Sequence, residues 1–97
     1  MIYLRYVVKL KPEHPKYVEG KTLLAHVYVD SQSTGEATWK ASSALAFHDM
    51  AIESLEYEEV LEEPKGASPS DMLLLSYFDS ARRHQVHCHF AEIEDVS

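Results

Sequence analysis

Histidines are the residues of this sequence whose type and spacing could do chemistry. Three of the six lie close together in His84-Gln-Val-His-Cys-His. His87 and His89 are two residues apart, so in a strand both side chains project from one face, and neutral imidazole is a common ligand of zinc and related ions. With His26 and Glu56 added from other elements, the pair would form a metal site or a small-ligand site.

The same segment argues against a zinc site that includes the cysteine. In an extended strand Cys88 points away from His87 and His89, so the three side chains do not converge on one ion. Structural zinc sites also bring two pairs of ligands at defined spacings, and the sequence has no second pair. We therefore expect Cys88 to be a small core residue and the protein to hold no cofactor.

Catalytic motifs are missing from the sequence as well. The serines fall within predicted helices and strands and not at a nucleophile elbow, and no glycine-rich phosphate loop is present. Neighbouring acids such as Glu58 and Glu59 alternate in direction along a strand, so they do not make an acid–base pair by themselves. We expect a protein that is not an enzyme and has no catalytic residues.

Length, charge and cysteine content narrow the class of protein. The 97 residues suffice for one domain, residues 1–97, and 45% of them are apolar, enough for a single core. One cysteine and no signal-like or membrane-length apolar run predict a cytoplasmic protein that does not bind membranes. The net charge of −7 disfavours nucleic acid as a partner, and residues 41–64 contain seven acids but no lysine or arginine.

Periodicity and helix caps predict the elements that must position these side chains. Two-residue alternation indicates strands, and hydroxyl side chains that can cap a helix indicate helix starts after Ser33 or Thr34 and after Ser68. The predicted strands are Ile2–Leu10, Thr22–Asp30, Ile52–Leu61 and Gln85–Ile93. Val60 breaks the alternation of the third strand, which predicts a bulge near Glu58-Glu59.

The element order β-β-α-β-α-β predicts an α+β fold. Because two strands are each followed by a helix and another strand, we expect parallel pairing at both crossovers and a four-stranded mixed sheet with both helices on one face. This two-layer sandwich is related to the ferredoxin-like arrangement but not identical to it. One face of the sheet would then stay open.

Alternation also predicts which side chains reach that open face. We expect the inward side chains to be Leu4, Tyr6, Val8, Val27, Val29, Leu55, Tyr57, Val86, Cys88 and Phe90. The outward set is Tyr3, Arg5, Val7, His26, Tyr28, Glu56, Glu58, His87 and His89. Three interpretations of this outward set compete: a partner-binding surface, a metal site, and a solvated sheet surface.

Partner binding is the function that we expect from this surface, because Tyr, Arg and His combine large contact area with directed hydrogen bonds. The candidate residues are Tyr3, Arg5, Tyr28, Glu56, Glu58, Glu59, His87 and His89. The partner would be a protein with a basic surface, as for an immunity protein or inhibitor, or a second copy of the chain in a homodimer. The alternative is a metal- or small-ligand-binding domain that uses His26, Glu56, His87 and His89.

Several segments resemble a group of small uncharacterised bacterial α/β proteins. They are the first strand ending in Lys11-Pro-Glu-His-Pro, Leu24-Ala-His-Val-Tyr-Val, Ile52-Glu-Ser-Leu-Glu-Tyr-Glu-Glu-Val, and Tyr77-Phe-Asp-Ser-Ala before a final strand that contains histidine. The resemblance covers most of the chain and implies the fold, but no activity comes with it. The chain differs from this group at Arg83-His84-Gln85, where a glycine is expected.

Overall fold

The elements form in the predicted order and close to the predicted bounds. The computed structural model describes residues 1–66 and 68–93. The elements are β1 (Ile2–Leu10), β2 (Thr22–Val29), α1 (Thr34–Phe47), β3 (Met50–Val60), α2 (Pro69–His84) and β4 (Val86–Glu92). In β1 the alternation seen in the sequence becomes an alternation of burial, since every second residue from Ile2 to Leu10 is buried.

Serine caps start both helices. Ser33 Oγ accepts a hydrogen bond from the backbone N–H of Glu36 at 3.4 Å, and Ser68 Oγ accepts one from that of Asp71 at 3.2 Å. Each bond satisfies one of the N–H groups that the first helical turn leaves without a partner. At the other end of α2, Gln85 has a φ of 70°, the left-handed conformation that favours glycine. Gln85 thus adopts a backbone conformation that is more common for glycine.

The sheet is antiparallel throughout, so the prediction of a mixed sheet is wrong. Its strand order is β3-β1-β2-β4, and each neighbouring pair is antiparallel. The crossover from β2 to β3 does join two strands of the same direction, but β1 lies between them. The connection from β3 to β4 joins opposite edges and strands of opposite direction, so the rule for parallel crossovers does not apply to it.

The helices lie on opposite faces of the sheet, which corrects the prediction that both cover one face. Ala37, Ala41 and Leu45 of α1 join the core on one side, here called the α1 face. The sheet residues of this core are Ile2, Leu4, Tyr6, Val8, Leu10, Ala25, Val27, Val29 and Met50, with Leu23, Val86, Cys88 and Phe90 packed against them.

Contacts of α2 fall on the other side, here called the α2 face, which carries Tyr3, Arg5, His26, Tyr28, His87 and His89. The Tyr77 ring lies 5.3 Å from that of Tyr28 and 4.7 Å from that of His87. Phe78 and Ala81, three residues apart on the same helix, are buried. The face expected to be open is therefore covered by α2 over β2 and β4.

Two bulges change the faces of β3. In its pairing with β1, Arg5 faces Tyr57 and Tyr6 faces Leu55, which leaves Glu56 as an extra residue; Glu53 is skipped in the same way. One bulge was predicted near Glu58-Glu59. The strand has two, at Glu53 and Glu56, and both precede that pair. As a result Leu55 and Tyr57, predicted to share the inner face, point to opposite faces.

Candidate functional site

A continuous row of aromatic rings crosses the α2 face from β3 to α2. Tyr3 occupies its centre, with ring centroids 6.0 Å from Tyr57 and 5.1 Å from Tyr28. Tyr28 continues the row to Tyr77, whose ring stacks on His87 with an interplanar angle of 19°. Rings at these separations are within the range in which aromatic pairs stabilise each other beyond their burial. The row is thus a packed layer that attaches α2 to the sheet.

The register brings together most of the residues predicted for the site. Tyr3 and Arg5 face Tyr28 and His26, and these face His87 and His89 on β4. The predicted common face of these residues is confirmed, but their exposure is not, because Tyr77 covers Tyr28 and His87. His89 remains exposed at the margin of the covered area, and its ring centroid lies 5.8 Å from that of Tyr77.

His26 is held neutral by its surroundings. The hydroxyl of Tyr3 shares a hydrogen bond of 2.7 Å with His26 Nδ1. Partial burial lowers the pKa of His26, and the nearby charges of His89 and Arg5 lower it further. A neutral His26 is therefore the form that the folded protein stabilises.

His87 is half-buried beneath α2. Its Nδ1 lies 3.0 Å from Ser80 Oγ, and its Nε2 is buried with no hydrogen-bond partner among the described residues. Burial lowers the pKa of His87, followed by the effect of His89. Protonation would place a charge under the helix, which is unfavourable unless a partner is supplied.

The predicted metal set is not assembled. Glu56 lies on β3, two strands away from His26, and its carboxylate accepts a hydrogen bond from Ser54. No group of three or more His, Cys, Asp or Glu side chains in residues 1–66 and 68–93 has a geometry that could hold a metal ion. Burial also raises the pKa of the Cys88 thiol to about 11, so this thiol stays protonated at neutral pH.

The accessible part of the α2 face lies over β1 and β3. The Arg5 guanidinium lies 5.1 Å from the centroid of the Tyr57 ring, a cation–π distance. The Tyr57 hydroxyl donates a 2.9 Å hydrogen bond to Glu59, and this bond raises the pKa of Tyr57. Tyr57 was predicted to point inward, and only the bulge at Glu56 brings it to this surface.

Strand β3 carries exposed side chains of two kinds. Its glutamates are Glu53, Glu56, Glu58 and Glu59, and its exposed apolar side chains on the α1 face are Ile52 (40% exposed), Leu55 (44%) and Val60 (68%). Glu58 faces Leu4 and so lies on the α1 face, not on the predicted outward face. The interrupted alternation of residues 52–60 was the only sequence signal for this arrangement, and it did not locate the bulges.

A cleft beside the loop after β1 was not predicted. It has a volume of about 310 Å³ and is lined at its base by Leu10, Leu23, Met50 and Phe90. Lys21 at its rim is paired with Glu92 at 2.8 Å. Its base belongs to the main core, and sequence periodicity gave no sign that the loop after β1 would leave space there.

Comparisons of the chain with protein-family models, with curated proteins and with solved structures found no match. The resemblance to small bacterial α/β proteins therefore stays a prediction. Neither helix in the described part of the chain has the length and apolar character needed to cross a membrane.

Proposed function

We propose that this chain is a small acidic, non-enzymatic module that binds a protein with a basic surface. The observation that carries the proposal is β3, an edge strand of 11 residues with four glutamates, no basic residue and exposed apolar side chains. Protein interfaces combine an apolar centre with polar residues around it, and complementary charge steers the partners together. Strand β3 carries both the apolar side chains and the charged side chains.

Residues on the α2 face extend the proposed surface. Tyr57 of β3 packs against Arg5 of β1, and Tyr3 lies behind them in the aromatic row. Tyr and Arg are enriched among residues that dominate binding energy. We place Tyr28 and His87 in the support beneath this surface, because α2 covers them.

A role of the immunity-protein or inhibitor type, with the module covering a basic surface of its partner, fits this charge distribution. The glutamates of β3 stand in a region without lysine or arginine, residues 41–64. A homodimer through the whole α2 face is disfavoured, since α2 occupies the β2–β4 half of it. A relation to ferredoxin-like sandwiches also stays a prediction: the crossover from β2 to β3 around β1 supports it, and helices on opposite faces weigh against it.

The test is quantitative capture from a lysate with the immobilised protein. We expect Glu56→Lys/Glu59→Lys to lose at least about tenfold of the captured basic partner, because two attractive charges become repulsive. The control Glu13→Lys/Glu19→Lys, in the loop after β1, changes the net charge by the same amount. It should capture as much of the basic partner as the native protein does. Equal capture by the native protein and the β3 variant would exclude the proposed acidic surface.

A further inference from the structure

The outer edge of β3 has no partner strand in the part of the chain that the structure describes. The sheet order places β1 on one side of β3 and ends there. At 11 residues the strand is about twice the usual length. An edge of this kind presents a row of backbone N–H and C=O groups to which another extended chain can pair.

The glutamates decide which chain can pair with this edge. In an antiparallel pairing of two β3 strands centred on Glu56, Glu53 of one copy would face Glu59 of the other, and the Glu56 carboxylates would meet. Like charges directly opposite each other destabilise a strand pair. In this register the edge is protected against a second copy of itself, while a strand bearing lysine or arginine meets charges of opposite sign.

Exposed carboxylates occur on both faces of the strand. Glu58 faces Leu4 on the α1 face, and Glu59 faces Tyr3 on the α2 face. An added strand therefore finds an acid on either side, whichever way its own side chains alternate. Ile52 and Leu55 on the α1 face and Tyr57 on the α2 face offer apolar contact next to these acids.

We propose that the outer edge of β3 binds an extended basic peptide segment, which pairs with it as a fifth strand of the sheet. The inference rests on the proposed function and specifies the partner: a segment in which basic and apolar residues alternate. Backbone hydrogen bonds supply affinity in such strand addition, and side-chain contacts supply selectivity. Exposed ion pairs alone contribute little, because water and salt screen them, so charge without backbone pairing gives weaker binding.

The experiment uses the full chain and three fluorescent peptides of equal length in anisotropy titrations. The first alternates lysine and valine, the second has the same sequence with N-methylated backbone amides, and the third alternates glutamate and valine. We expect the first peptide to bind at least about tenfold more tightly than the second, and the third not to bind. Hydrogen exchange of the amides in Met50–Val60 should slow when the first peptide is added.

Variants locate the site. Glu58→Lys/Glu59→Lys should weaken binding of the lysine–valine peptide at least about tenfold, whereas Glu13→Lys/Glu19→Lys should not. Equal binding of the first two peptides would overturn strand pairing and leave the proposed function in place. Failure of both lysine peptides to bind would overturn the inference, and the capture experiment above tests the proposed function separately. If exchange of the β3 amides slows as the protein concentration rises, without any peptide present, the edge pairs with a second copy of the chain. That result would overturn the inference.

Discussion

At the scale of single residues, two tyrosine hydroxyls with different surroundings show what a buried polar group contributes. Tyr3 shares a 2.7 Å hydrogen bond with His26, whereas the hydroxyl of Tyr6 is buried without a partner among the described residues. Burial raises the pKa of both phenols, so both are neutral. Of these two hydroxyls, only that of Tyr3 therefore gains a hydrogen bond within the described residues in place of the hydrogen bonds to water that it loses on folding.

This difference gives a matched prediction for two substitutions. Tyr3→Phe should lower the free energy of unfolding by about 0.5–1.5 kcal/mol, since it leaves a half-buried His26 nitrogen without its partner. Tyr6→Phe removes a hydroxyl that has no bond to lose and should leave stability unchanged or raised. Urea denaturation measures both. A larger loss for Tyr6→Phe than for Tyr3→Phe would show that Tyr6 has a partner in solution.

At the scale of elements, α2 packs against a sheet face that carries the half-buried histidines His26 and His87. The pKa values of His26 and His87 lie below the ordinary 6.5, with burial as the first cause. Arg5 adds a positive charge near His26, and the proximity of His89 lowers both pKa values further. The unfolded chain binds protons at these residues at a higher pH than the folded chain does, so stability is fully present above about pH 6.5 and falls as the pH decreases below it.

We expect the melting temperature to fall between about pH 7.5 and pH 5.5, and His87→Asn to reduce that fall. His14→Asn, in the loop after β1, serves as the control and should keep the native dependence on pH. Circular dichroism at several pH values measures the effect. A pH dependence that His87→Asn leaves unchanged would contradict a role for His87 under α2.

At the scale of the whole molecule, charge is separated along the chain. Five lysines and arginines fall within residues 1–21, and residues 41–64 have none. Few positive charges therefore lie near the acids on the β3 edge. Lys9 lies 3.8 Å from Glu53, a long distance for an ion pair. Mutual repulsion of these edges should keep the protein monomeric at neutral pH.

Neutralising the edge tests this expectation. Glu56→Gln/Glu58→Gln removes two charges from β3 and should promote dimers or larger assemblies, because the exposed edge and Leu55 then meet less repulsion. Glu13→Gln/Glu19→Gln lowers the net charge equally and should remain monomeric. Light scattering over a range of protein concentrations distinguishes them. Association of both variants alike would assign the effect to net charge and not to the strand.

The sequence alone determined what depends on neighbours along the chain. The alternation of Ile2 to Leu10 and the caps at Ser33 and Ser68 are local patterns, and the structure confirms both. The shared face of Tyr3, Arg5, His26, Tyr28, His87 and His89 was predictable for the same reason, since alternation fixes relative direction within every unbulged strand.

Only the tertiary structure decided strand order, the position of α2 and the faces of β3. Each depends on contacts between residues far apart in sequence: Tyr77 can stack on His87 only when α2 crosses to the second face, and Glu56 becomes an extra residue only against Arg5 and Tyr6 of β1. A bulge reverses the alternation beyond it, which brought Tyr57 to the accessible surface and placed Glu58 on the α1 face. The acidic edge of β3 is thus encoded in the sequence, but its exposure follows from the order of the strands.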